Sequence, residues 1–230
     1  MGEKYKKIEA LMAAEGLTRE DVIAYWQQKA QSSSKALTIV NPKFPESDIR
    51  SQTKLFWYAF EGGKFSTDPN AYPNCQGVVG WINPDPDAPE GNKIYVVLPK
   101  QRHYLEYSTS CYLTGINDLY DGRANTKELI EYGKKYDVCF PAAQFAFNYC
   151  ENGVKQGEAF LPAKDQLSRV VENCVGVRNA LKLIGGTFEG CLWSSSEYIT
   201  SYACSVDSNN GTMYGSYKTD AKSVSCFLAY

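Results

Sequence analysis

Apolar residues change their spacing three times along this chain, and each change predicts a different kind of element. Residues 3–15 read as a charged amphipathic helix that Gly16 can close as a C-cap. A second helix is expected from Thr18, an N-cap followed by Glu20 and Asp21, with Val22, Ile23 and Trp26 as its apolar stripe. A hairpin of this size holds no core alone. It is expected to pack on the main domain or on sister chains, so a homo-oligomer joined through these helices is one expectation. Polar residues 31–34 then form a linker, which sets the first unit at 1–34.

The period then shortens. Residues 37–40 and 55–60 are strand-like, separated by Pro42, Pro45 and polar residues, so 35–76 reads as a β-rich connecting segment packed on the main domain. Residues 77–82 and 93–98 read as a strand pair, joined by a rigid acidic loop with Pro84, Pro86 and Pro89. Helical spacing returns near 126–132, with Asn125 or Thr126 as the cap. It recurs after Pro141, whose place suits a first helical turn, and again over 161–171 and 177–184, where Gly185 and Gly186 end it. Beyond Gly190 only short β segments are expected. Asn210 and Gly211 predict a type I′ hairpin turn, since both central residues of that turn need positive φ. Helices inserted between early strands and a terminal meander make an α+β arrangement.

Composition narrows the field. At 43% hydrophobic and 22% charged residues over 230, the chain can bury a sizeable core. A net charge of −2 gives no electrostatic reason to expect nucleic acid or an anionic membrane as partner. No apolar run is long enough to insert in a bilayer, and the amino-terminal segment is too acidic for a signal peptide. The eight cysteines include no C-x-x-C pair and there is a single histidine, His103. Neither zinc nor any other cofactor is therefore expected; the cysteines could form disulfides, but as small core hydrophobes mostly reduced thiols are the expectation.

A resemblance enters at the carboxyl-terminal end. Residues 157–163 (GEAFLPA) before a helix, then 192–198 (LWSSSEY), then Asn210 and Gly211 with a closing strand, resemble a lectin-fold domain of bacterial surface and phage proteins. The same pattern occurs in the variable proteins of diversity-generating retroelements. The likeness covers roughly 77–230. It implies a C-type-lectin-like fold with the helical hairpin appended in front, a buried Trp193, and serines 194–196 as framework around it. Cys204 stands where relatives usually have tryptophan, and Ser225 where they have arginine.

The tail carries its own signal. Residues 199–230 are mostly Ser, Tyr, Thr, Asn, Asp, Gly and Ala, with no Glu, Gln, Arg, Trp or Pro. Rigid amphipathic tyrosines beside small hydrogen-bonding residues make the composition of a paratope. In a retroelement-diversified protein, adenine-targeted mutation of AAC-type codons yields this set, and Met213, Lys218 and Lys222 would be framework. Ile199, Ser201, Tyr202, Cys204, Tyr214, Gly215, Ser216, Tyr217, Thr219, Asp220 and Ser225 are therefore expected to cluster on one exposed, ligand-binding face.

Other chemistry reads as structural. Ser194, Ser195 and Ser196 have no nucleophile elbow and no nearby histidine in sequence. Glu158 and Glu197 are not placed across a cleft by any pattern, and Glu197 is expected to be a hydrogen-bond acceptor. Asp85, Asp87 and Glu90, and Asp118 with Asp121, lack EF-hand spacing and read as solvated turns. The expectation is a non-enzymatic binding protein that meets a protein or glycan on a cell surface, placed on a phage particle or a bacterial surface. Two alternatives stand beside it: a formylglycine-generating type of enzyme sharing the fold, and a structural phage subunit.

Overall fold

The protein is described by a computed structural model over residues 47–230, so the expected hairpin at 1–34 and the strand at 37–40 lie outside the described residues. The first described element is a short 3-10 turn, Ile49–Gln52, capped by the side chain of Asp48. There follow β1 (Tyr58–Phe60), β2 (Lys64–Ser66), β3 (Cys75–Ile82) and β4 (Ile94–Leu105). Then come α1 (Gly122–Tyr136), α2 (Pro141–Phe147), α3 (Lys164–Val171) and α4 (Cys174–Leu183). The chain ends in β5 (Cys191–Ile199), β6 (Tyr202–Asp207), β7 (Met213–Tyr217) and β8 (Lys222–Ala229).

All eight strands join one sheet in the order β2-β1-β3-β4-β8-β5-β6-β7. Every pairing is antiparallel except β5 with β8, which run parallel at Leu192 and Ser223. The last strand thus returns to the middle of the sheet, between β4 and β5. The central strands are apolar on both faces, so both faces must be covered. Ile94, Val96, Leu98, Trp193, Val224, Cys226 and Leu228 pack with Leu129 of α1 and Ala142, Ala143 and Ala146 of α2. On the opposite face Tyr95, Val97, Leu192, Val206 and Phe227 pack with Leu167, Val170 and Val171 of α3 and Val177 and Leu181 of α4.

This corrects the expected fold. The class is α+β, but the described residues form a single large sheet with helix pairs on both faces. They are not a C-type-lectin-like domain behind an amino-terminal helical hairpin. The physical reason is the two-sided hydrophobicity of β3, β4 and β8, which makes each a central strand covered on both faces.

Local departures have local causes. The strand expected over 55–60 shrinks to three residues because Phe56 sits at φ 67°, outside the β region, with its ring against Gly176 of α4. A Cβ on Gly176 would lie 2.4 Å from that ring, so only glycine admits it. α1 starts earlier than expected, because Asp121 caps it by accepting from the Ala124 amide at 2.9 Å. Asn125 instead turns inward and donates to Ser195 Oγ at 3.1 Å. The β6–β7 hairpin exists, but Gly211 alone has positive φ (74°) and its amide donates to Asp207 O at 2.8 Å. The turn is therefore a longer loop over 208–212, not a two-residue type I′ turn.

Candidate recognition surface

Trp193 is the anchor beneath the carboxyl-terminal strands. It is fully buried, and its indole N–H donates to the Leu105 carbonyl at 2.8 Å. The three serines that follow are buried and engaged. Ser194 Oγ donates to Cys204 O at 2.9 Å and Ser196 Oγ to Asp118 O at 2.7 Å, while Ser195 Oγ accepts from Asn125. Each hydroxyl has a backbone or amide partner, which makes the triplet framework and explains the irregular pairing of β5 between Trp193 and Glu197.

At the end of this segment lies a buried ion pair. Lys218 is wholly buried, and its ammonium contacts both the Glu197 carboxylate and the Tyr112 carbonyl. Glu197 also accepts the Thr114 amide at 3.0 Å and the Gly115 amide at 2.8 Å. Burying a carboxylate and an ammonium is costly unless their remaining hydrogen-bonding capacity is met, and here it largely is. The pair ties three segments together, since the Lys218 amide donates to Ser201 O and the Ser108 amide to Lys218 O, both at 3.0 Å. The β5–β6 turn, the β7–β8 turn and the loop through Tyr112 therefore share one end of the sheet.

That end is exposed and apolar. Tyr112, Leu113, Tyr198, Ile199 and Tyr217 are about half exposed or more, with Tyr198 at 65%. The rings of Tyr202 and Tyr217 pair across β6 and β7 with centroids 4.3 Å apart. Hydrogen bonding to the Tyr217 phenol raises the pKa of Tyr202 above its ordinary value. The Tyr198 ring lies over Gly215 on the edge strand, where a Cβ would approach it to 3.1 Å. Glycine at 215 thus leaves room for a tyrosine reaching across from β5.

The expected site residues divide. Ile199, Gly215, Tyr217, Thr219 and Asp220 are exposed, Ser201 and Tyr202 are half-buried, and all lie on β7, in the two turns at this end, or at the ends of β5 and β6 that flank the first turn. Tyr214 is exposed, but the alternation of β7 turns it to the opposite face from Tyr217. Three expectations are corrected. Cys204 is buried on β6, where loss of water pushes its thiol pKa up. Ser216 is buried and hydrogen-bonds Ser205 Oγ at 2.8 Å. Ser225 is buried opposite Gln101 of β4, because β8 lies inside the sheet and not at its rim. Tyr112, Leu113 and Tyr198 belong to the exposed group but were not expected there. Only the fold brings the loop through Tyr112 to this end.

The remaining candidates are structural. Asp85 and Asp118 side chains accept amides of their own turns, from Asp87 at 2.9 Å and from Tyr120 at 2.6 Å. Among the described residues no cluster of three or more His, Cys, Asp or Glu side chains could hold a metal ion. All eight cysteines are free thiols.

No protein-family model matches the chain, and no curated protein matches it. Among solved structures it is similar to a fimbrial protein from Bacteroides ovatus ATCC 8483, with 14% identity and a TM-score of 0.57. The match covers 77% of this chain and 49% of that one, so this chain spans about half that protein's length. At this identity the likeness concerns the fold.

Proposed function

We propose that this chain is a binding protein of the bacterial surface, and that the end of the sheet bearing Tyr112, Leu113, Tyr198, Ile199, Tyr202, Tyr217 and Asp220 holds its extracellular partner, a protein or a glycan. The observation that carries this is the exposed aromatic group seated on the buried Glu197–Lys218 pair. Tyrosines on a preorganised scaffold lose little conformational entropy on binding and dominate many interfaces. The shared fold with a fimbrial protein supports a surface setting. Placement on a phage particle is the finer alternative. Labelled protein tested against intact bacterial cells, before and after protease or periodate treatment, separates a protein partner from a glycan.

A second reading is that this surface is diversified by a retroelement. It is favoured by the contrast between buried Trp193, Ser194–Ser196 and Lys218 and the exposed turn residues around them. Sequencing the neighbouring DNA tests it. A near-copy of the codons for 199–230, differing only at adenines and lying beside a reverse transcriptase gene, is the expected result.

A further inference from the structure

Near the end of β4 a tyrosine occupies a backbone position that suits glycine. Arg102 pairs with Val224 and Leu105 with Lys222, so three steps along β4 match two along β8. The extra residue makes a β-bulge, and Tyr104 sits in it at φ 60°. Glycine is the usual occupant of a left-handed bulge position, because a Cβ there crowds the backbone. Tyr104 is one of five non-glycine residues with positive φ among the described residues. Asn74, Asp137 and Asn152 are of types that tolerate this region, and Asp137 also closes α1 as its C-cap. Phe56 seats its ring against Gly176 of α4. Tyr104 has no comparable packing: it is 84% exposed, and its ring meets that of His103 at a centroid distance of 6.2 Å.

The bulge is pinned from both sides. His103 Nδ1 lies 2.9 Å from Ser223 Oγ, and Gln101 Oε1 accepts the Glu189 amide at 3.1 Å while its Nε2 donates back to the Glu189 carbonyl. Beyond it, Leu105 lies opposite Lys222 and the Ser108 amide donates to Lys218 O. The chain leaving Tyr104 therefore runs beside the β7–β8 turn that carries Thr219 and Asp220. A single exposed aromatic is ordinary on a protein surface. Here exposure coincides with a backbone conformation unfavourable to a bulky residue, on a fixed arch beside the aromatic group of Tyr217 and Tyr198. Packing does not account for such a residue, and backbone outliers of this kind concentrate where ligands are held.

We infer that Tyr104 is a contact residue of the recognition surface, held out by its bulge as a knob that enters a pocket on a folded protein partner. This rests on the reading of that end of the sheet as the recognition surface, extends it onto β4 and commits it to a protein. The shape argues for a protein: a ring standing almost wholly clear of its own chain gains contact area only in a concave, preformed pocket, which a flexible sugar chain does not offer. The residue types agree. Arg102, two residues before, is also exposed, and tyrosine and arginine are the side chains enriched at protein hot spots. The pinned backbone leaves only the ring's own rotation to be lost on binding.

The test measures stability and binding together, because the inference moves them in opposite directions. Tyr104→Gly should raise the melting temperature of the full chain by about 1–3 °C, since glycine relieves the left-handed backbone. The same variant, fluorescently labelled and titrated onto intact bacterial cells, should bind about tenfold or more weakly than the parent. Tyr104→Asn, which also tolerates the conformation, should lose binding to the same extent and guards against an effect of glycine flexibility. Tyr136→Asn, at an exposed tyrosine on α1, should bind as the parent does. Protease treatment of the cells should abolish parent binding, and periodate should leave it. The inference is overturned if both Tyr104 variants bind as the parent does, if Tyr104→Gly lowers the melting temperature, or if binding survives protease and is lost to periodate. Where Tyr217→Ser loses binding and the Tyr104 variants keep it, this inference fails and the recognition surface itself stands.

Discussion

The ammonium of Lys218 meets the carboxylate of Glu197 with both side chains out of water, directly beneath the turn that presents Tyr217. Lys218 thus fixes the β7–β8 turn from within, while its neighbours on either side face solvent. Removing one partner of a buried pair leaves the other charge uncompensated. Lys218→Met should therefore lower the unfolding free energy by about 3–5 kcal/mol. Urea unfolding measures this. Hydrogen exchange at the Thr114 and Gly115 amides should rise in the same variant, because their acceptor is released.

Trp193 should be equally intolerant for a different reason. Its ring fills the core between the sheet and α1–α2, and its N–H satisfies the Leu105 carbonyl. Trp193→Ala should cost about 3–5 kcal/mol through the cavity it leaves, read as a drop in denaturation midpoint at constant slope.

Acid should loosen the acidic loop. Arg50 is buried and bridges the Asp48 carboxylate, 2.6 Å away, to the carbonyls of Asp85 and Pro86. The hydrogen bond from Arg50 is the main cause that lowers the Asp48 pKa to about 2. Because the folded value lies below the unfolded one, the stabilisation is complete above the ordinary carboxylate range and is lost as pH falls toward 2. Melting temperatures of the parent should decline between about pH 4 and pH 2 more steeply than those of Asp48→Asn. Parallel curves would remove Asp48 from the explanation.

Much of the element order was legible in the sequence, because helix signals are local. Pro141 opens α2, Gly185 follows α4, and the β3–β4 pair falls where its apolar runs predict. What could not be read locally was the pairing of distant strands. Nothing near Ser225 reveals that β8 inserts between β4 and β5, so a polar residue that looks solvent-facing is buried. The same limit hid Tyr112 and Leu113, whose loop is tied to the proposed recognition surface by Lys218 and Glu197. Asn210 suggested a two-residue turn by its side-chain type, but the amide of Gly211 bonds back to Asp207 and lengthens the loop. Aromatic residues favour strands, so Phe56 is expected in one, whereas it sits at φ 67° with its ring against Gly176.

The most direct test of the proposed recognition surface replaces Tyr198, Ile199, Tyr217 and Asp220 together by serine and compares the variant with the parent in binding to intact bacterial cells. These side chains are exposed and outside both cores, so the melting temperature should move by only a few degrees, about 0.5 kcal/mol or less per site. Cell binding should fall by about tenfold or more, as loss of aromatic hot spots demands. Unchanged binding by the folded variant, or loss of cooperative unfolding, would contradict the assignment of this end of the sheet as the recognition surface.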